Sequence, residues 1–304
     1  MPNRTYEFVQ LDVFTRAPLT GNPLAVFPDG HGLNDKEMQA LAREMNLSET
    51  TFILPREPAI EAKLGKKVRI FTVAEELPFA GHPTLGTALY LQAANSAVDQ
   101  VSLDLKFGKI PVRFSGDHEN ANRNRADGQL FGEMRQRDPE FGAILPREEV
   151  ARVIGIDVGH IGSEAPCQVV SAGLPYAIVP FRDSQTLVAL KYDSMRGASL
   201  LECTGARFFY FLCLERREGR LAVRARMFFY GGEDPATGSA AGCAASWLVK
   251  YGLAKSDEQV VIHQGAEAGR PSEIFIRAKC EDERVTDVRV GGYAVEILRG
   301  AVTL

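Results

Sequence analysis

Cysteine is scarce in this chain, and the little there is does not group. The five thiols in 304 residues are Cys167, Cys203, Cys213, Cys243 and Cys280, an odd set with no C-x-x-C pair. That spacing argues against a structural zinc site and a disulfide framework, and predicts reduced, mostly buried thiols in a cytoplasmic protein. Long apolar runs are missing too. The most apolar stretch, Phe208 to Leu214, is far too short to span a bilayer. Positive charge is not in excess, and the formal net charge of −4 points away from nucleic acid and anionic membranes as partners. Strand-like alternation starts within the first ten residues, so no signal peptide is expected. Nor does any Cys, His or Asp set stand at metal-ligand spacing, so no metal is expected. The segment Gly232-Glu233-Asp234-Pro235-Ala236-Thr237-Gly238 lacks the lysine of a phosphate loop and the spacing of a dinucleotide fingerprint, so no nucleotide cofactor is expected either.

What the chain does have is an internal copy. Val68-Arg69-Ile70-Phe71 leads to Glu76-Leu77-Pro78-Phe79-Ala80-Gly81-His82-Pro83-Thr84. Ala225-Arg226-Met227-Phe228 leads to Glu233-Asp234-Pro235-Ala236-Thr237-Gly238-Ser239-Ala240-Ala241. One shift aligns Arg, Phe, Glu, Pro and Gly of the two (226 − 69 = 157; 238 − 81 = 157). A second pair, Gly21-Asn22-Pro23-Leu24-Ala25-Val26-Phe27-Pro28 and Gly173-Leu174-Pro175-Tyr176-Ala177-Ile178-Val179-Pro180, aligns at 173 − 21 = 152. Each copy reads as strand, Pro-Gly turn and a helix of small apolar residues. Two long copies predict two similar halves rather than a solenoid. The unpaired N–H groups and positive dipole end at each helix start suit a carboxylate ligand, and both starts look into one cleft if the halves face each other.

Local signals fill in the elements. Strands are expected over 6–15 and 23–28. Asn34 to Glu37 forms a capping-box pattern before a helix whose apolar face is Met38, Leu41, Ala42 and Met45, with Asn46 as its stop. Strands follow at 48–54 and 67–72, and the uncharged stretch 84–94 predicts a helix buried all round. A hairpin is expected around Gly108, helices near 147–154 and 183–191, a buried helix from Ser239 to Tyr251, and a closing hairpin over 288–298. The polar run 116–127 is the candidate boundary or mobile loop. The halves are therefore drawn as 1–127 and 128–287, with 288–304 allowed to cross back to the first. Each is pictured as a curved, mainly antiparallel sheet around one central helix, an α+β fold.

Chemistry is sought where the copies differ. At the shift of 157, Glu49 falls opposite Ala206, Ser48 opposite Gly205 and Phe52 opposite Phe209. A single general base needs to appear only once, although an exposed Glu after a helix would look the same. His82 stands opposite Ser239 in the first turn of a buried helix, where it can donate to an anion, move a proton, or simply brace the turn. Asp234 faces Leu77 and shares the asymmetry of Glu49, but an acid before a helix is also a common structural device.

Several segments then carry a family resemblance along nearly the whole chain. They are Gly21-Asn22-Pro23-Leu24-Ala25-Val26, Ala42-Arg43-Glu44-Met45-Asn46-Leu47-Ser48-Glu49-Thr50, the two turn motifs above, Gln264-Gly265 with Gly269-Arg270-Pro271-Ser272, and Val290-Gly291-Gly292. The sequence resembles the PhzF-like phenazine biosynthesis family. That resemblance implies a diaminopimelate epimerase-like fold of two pseudo-symmetric halves, an active site in the cleft between them, a homodimer, and no metal or organic cofactor. It implies a cofactor-independent isomerase acting on a small cyclic amino or hydroxy carboxylic acid, of the trans-2,3-dihydro-3-hydroxyanthranilate kind. Glu49 would be the general acid/base, with His82 and Asp234 as further catalytic residues. Ser48, Gly81, Gly238, Ser239, Gly291 and Gly292 would bind substrate. The epimerase relatives place a reactive cysteine at each turn, where this chain has Gly81 and Gly238, so a two-thiol racemase is disfavoured. The alternatives are an amino-acid epimerase or racemase acting on another substrate, and a non-catalytic small-carboxylate binding protein.

Overall fold

The computed structural model describes residues 4–95, 98–115, 130–229 and 232–304, and the polar run 116–127 lies outside them. The chain divides into two compact units, Met1–Arg135 with Gly291–Leu304, and Gln136–Val290. In chain order the first unit carries β1 (Thr5–Val13), β2 (Asn22–Phe27), α1 (Asp35–Met45), β3 (Glu49–Leu54), α2 (Pro58–Leu64), β4 (Lys66–Phe71), β5 (Glu76–Leu77), α3 (Gly81–Ala94), β6 (Gln100–Leu105), β7 (Gly108–Ser115) and β8 (Phe131–Arg135). The second continues with β9 (Glu140–Leu145), α4 (Arg147–Ile154), β10 (Cys167–Ser171), β11 (Pro175–Phe181), α5 (Ser184–Ala189), α6 (Ala198–Thr204), β12 (Phe208–Arg217) and β13 (Arg220–Phe229). It ends with β14 (Gly232–Glu233), α7 (Gly238–Lys250), β15 (Val260–Gln264), β16 (Ser272–Glu281) and β17 (Arg284–Gly292), and β18 (Ala294–Thr303) returns to the first unit.

Strand pairing repeats the sequence duplication. In the first unit β1–β2 is antiparallel, β2–β3 parallel, β3–β4 antiparallel, β4–β6 parallel and β6–β7 antiparallel. The second gives the same series with β10–β11, β11–β12, β12–β13, β13–β15 and β15–β16. The register corrects one detail of the sequence alignment. Arg69 pairs with Phe52 and Arg226 with Phe211, so the shift in this strand is 211 − 52 = 159 rather than 157. Glu49 pairs with Leu24, and Tyr176, the copy of Leu24, pairs with Phe208. The counterpart of Glu49 is therefore Phe208, not Ala206, and the second unit still has no carboxylate there. The end of the chain does cross back to the first unit, as the sequence allowed. The segment read as a closing hairpin sends β18 antiparallel along β1, from Val13↔Ala294 to Thr5↔Thr303.

Each unit has one largely buried helix, but the expectation that 84–94 is buried all round is corrected at its end: Tyr90, Leu91 and Gln92 are half-buried and Ala93 and Ala94 exposed, where the last turn of α3 reaches the surface. In α3 every residue from Gly81 to Leu89 is buried, and in α7 every residue from Gly238 to Val249. Small residues allow this. A Cβ on Gly86 would lie 2.7 Å from the side chains of Leu24 and Val13, too close for any real side chain. Before each helix, a bidentate ion pair ties the turn to the preceding strand. Arg69 donates to Glu76 through two bonds of 2.8 Å, and Arg226 to Glu233 at 2.8 and 2.7 Å. The fork geometry of arginine makes both pairs directional, so they set the position of the turn as well as its charge balance.

The capping box on α1 is present in full. Asn34 accepts from the backbone N–H of Lys36 and Glu37, Glu37 accepts from Asn34 N, and Asn46 ends the helix in the left-handed region at φ 50°. Asn34→Ala should cost about 1 kcal/mol in urea unfolding at neutral pH. An unchanged midpoint would mean that packing of Met38 and Leu41, not the cap, holds this helix end.

Candidate active site

Three elements of the first unit converge on one buried pair. Glu49 opens β3, Pro23 lies on the neighbouring β2, and His82 is the second residue of α3. His82 Nε2 is 3.4 Å from Glu49 Oε2, with the two side chains only 4% and 14% exposed. The imidazole donates its other ring N–H to the Pro23 carbonyl. Burial pushes the His82 pKa down to about 3, against the smaller opposing effect of that bond. The ring is thus neutral at ordinary pH, and its tautomer follows from the Pro23 bond: Nδ1 carries the hydrogen and Nε2 presents a lone pair.

This fixes the chemistry of the contact. A lone pair facing a carboxylate oxygen is repelled, whereas facing a carboxylic acid it accepts a hydrogen bond. The pair is complementary when Glu49 holds the proton and less so when Glu49 is ionised. Among the described residues Nε2 has no hydrogen-bond partner. Of the roles expected for His82, donation to an anion, movement of a proton or bracing of the turn, the bond to Pro23 fits the last and leaves Nε2 facing Glu49.

In the second unit Asp234 and Ser239 sit at the start of α7. Asp234 is 7% exposed and its Oδ2 accepts from the Thr237 hydroxyl at 2.6 Å. Ser239 Oγ is 2.7 Å from the Tyr176 hydroxyl on β11. The phenol is the stronger acid, so it is the natural donor of that bond. Neither α3 nor α7 has a side-chain cap from its N-cap residue, Ala80 or Thr237. The first amides of each helix thus remain suited to an anion.

The remaining expected residues fall as follows. Ser48 is partly buried in the bend before Glu49, and Gly81 and Gly238 open their helices. Gly291 and Gly292 are buried at the end of β17, where a Cβ on Gly291 would lie 2.6 Å from the Phe131 ring. Glu49 and His82 are brought together within the first unit. Asp234, Gly238 and Ser239 share the α7 turn of the second. Residues the sequence reading missed are Pro23 as the acceptor for His82, Thr237 beside Asp234, Tyr176 beside Ser239, and Gln264. All four lie inside quoted motifs, but only tertiary contacts show what their polar atoms do. Among the described residues no cluster of His, Cys, Asp and Glu could hold a metal, and no helix is long and apolar enough to cross a membrane.

Comparison with known proteins agrees with this architecture. The family model for phenazine biosynthesis-like proteins, PhzC-PhzF, matches residues 11–300. A Pseudomonas chlororaphis protein named trans-2,3-dihydro-3-hydroxyanthranilate isomerase is 36% identical, over 98% of this chain and all of its own. Among solved structures, a Pseudomonas aeruginosa protein described as a predicted epimerase matches with TM-score 0.80 and 34% identity, over 98% of this chain and 99% of that one. A Bacillus anthracis protein of the PhzF family matches with TM-score 0.84 and 25% identity, over 99% and 100%. The racemase-like fold extends further, to a hydroxyproline epimerase from Agrobacterium vitis at TM-score 0.63 and 11% identity, covering 99% of this chain and 93% of that one.

Proposed function

The chain belongs to the PhzC-PhzF family of phenazine biosynthesis-like proteins, and from that premise we propose that it is an isomerase of this type. Its substrate is a small cyclic amino acid of the trans-2,3-dihydro-3-hydroxyanthranilate kind, and Glu49 is its acid and base. The observation that carries the reading is the buried Glu49–His82 pair, 3.4 Å apart with His82 held neutral. In the reaction, ionised Glu49 takes a proton from an activated carbon of the ring. The acid so formed donates to His82 Nε2, which stabilises it for the moment it exists. Glu49 then returns a proton to another carbon of the conjugated system, and the enol product relaxes to its ketone. No atom is gained or lost, and one carboxylate serves both steps. The reading keeps Asp234 as a further catalytic residue and assigns substrate binding to Ser48, Gly81, Gly291 and Gly292 of the first unit and to Gly238 and Ser239 of the second. Amides at a helix start are suited to the substrate carboxylate and to negative charge developing in the ring.

Turnover in D₂O tests this directly. Deuterium should appear at the receiving carbon, at less than one atom per turnover if return to carbon competes with exchange. Failure to convert the compound, or conversion that proceeds equally well after Glu49→Gln, would remove the proposal.

A thiol mechanism of the epimerase kind gives a different expectation. Burial pushes the Cys243 pKa up to about 12, so this thiol stays protonated at neutral pH. Cys243→Ala should leave kcat/KM within a few-fold of the parent. A loss of on the order of 10²-fold, typical of a lost proton-transfer group, would instead favour a cysteine base.

A further inference from the structure

A buried polar side chain in the second unit has no place in the mechanism so far: the carboxamide of Gln264, at the end of β15 and 2% exposed. Its Oε1 accepts from the Tyr210 hydroxyl at 3.0 Å and from Thr237 N at 3.3 Å. Its Nε2 donates to the Asp234 carbonyl at 2.7 Å and to Thr237 Oγ1 at 2.9 Å. The four bonds fix the amide orientation, because a flip would set N–H against N–H and oxygen against oxygen. Thr237 Oγ1 already receives an amide hydrogen, so its own hydrogen goes to Asp234 Oδ2 at 2.6 Å. Donation therefore runs one way, from Tyr210 to Gln264, to Thr237, to Asp234. The strand end also touches the turn directly. A Cβ on Gly265, which has φ +81°, would collide with the Pro235 carbonyl oxygen.

The first unit is an internal control. Its turn has the same Arg–Glu pair but carries Leu77 where the second has Asp234, and Ala80 where it has Thr237. Gln264 pairs with Ala225, one residue before Arg226. In the first unit Lys67 pairs with Asp104, so Leu105 follows at the place equivalent to Gln264, and it is 5% exposed. The fold thus builds this turn with a buried leucine when there is no acid to hold. The amide is present in the unit that has the acid.

We infer that Gln264 is a positioning residue which, through Thr237, keeps a hydrogen-bond donor on Asp234 and so sets the direction of that carboxylate. The link to catalysis rests on the proposed function, which uses Asp234; the geometry does not. Titratable neighbours are Tyr210 on β12, raised by burial first and by the charge of Asp234 second, with Tyr176 on β11 and Cys243 on α7 acting on Tyr210 in turn. The Arg226–Glu233 pair lies on β13 and β14 beside the turn.

The test is a ¹³C-carboxyl NMR titration of Asp234, its signal assigned by loss in Asp234→Asn. Gln264→Leu installs the first unit's own solution, and thermal melting checks that it folds. Losing a donor to the charged form raises a carboxyl pKa, so the midpoint should rise in Gln264→Leu and in Thr237→Val, and return to the parent value in Thr237→Ser. A midpoint unmoved in Thr237→Val overturns the inference, whatever Gln264→Leu does. In parallel, kcat/KM on trans-2,3-dihydro-3-hydroxyanthranilate should fall about 10-fold in Gln264→Leu and show no further fall in an Asp234→Asn background. A fall that persists in that background overturns it as well. If the parent protein does not turn this compound over, the proposed function fails, and the titration still decides the role of Gln264.

Discussion

Glu49→Gln should fold as the parent does and lose on the order of 10²–10⁴-fold in kcat, the usual worth of a sole proton-transfer group. Glutamine keeps the size and reach of the side chain but cannot take a proton from carbon. It can also keep the contact with His82. An amide N–H placed where Oε2 now lies would donate to the Nε2 lone pair 3.4 Å away, as the protonated acid does. The variant is therefore a resting mimic of protonated Glu49, and its unfolding midpoint at neutral pH should not fall. Steady-state turnover beside a urea melt separates the two effects. A kcat within a few-fold of the parent would take Glu49 out of the mechanism. A large loss of stability would show instead that the ionised form matters to the fold.

The duplication was legible because it is written in residue types with strong local or directional preferences. Arginine, glutamate, proline and glycine mark the two turns, and the structure gives both the same bidentate pair. The capping box and the burial of the first two turns of α3 were legible for the same reason, whereas an absence of charge did not show that the last turn, Ala93 and Ala94, is exposed. Strand register was not. A constant shift taken from the turns put Ala206 opposite Glu49, whereas pairing along β12 and β13 puts Phe208 there. The two-residue difference lies in loops, which no local propensity fixes. The return of β18 to β1 was left open for a similar reason: alternation predicts a strand but not its partner. At the candidate site the residue types were readable and their protonation was not. That the His82 ring is buried beside the Pro23 carbonyl depends on tertiary packing, which is not visible along the chain. Gln264 reads as part of a motif, but an amide shows its polarity only once its partners are in place.

The buried imidazole should also show itself as acid sensitivity. In the folded protein the His82 pKa is held down to about 3, mainly by burial, while in the unfolded chain it is near the ordinary value of about 6.5. Between these values the unfolded chain binds a proton that the folded protein does not. Stability must then fall as pH falls through the window, by up to about 1.4 kcal/mol per pH unit, and is fully present above the unfolded value. The comparison is best made in the Glu49→Gln background, where the neighbouring carboxyl no longer titrates. There, His82→Asn keeps an N–H in reach of the Pro23 carbonyl and removes the titrating ring. Urea unfolding at pH 4, 5, 6 and 7 should show a steeper loss toward acid in Glu49→Gln than in the double variant. The difference should amount to roughly 2–3 kcal/mol over the lower two units. Equal slopes would mean that His82 takes up its proton inside the fold. The imidazole would then be a cation beside residue 49, and the acceptor role given to it in proton transfer would have to be abandoned.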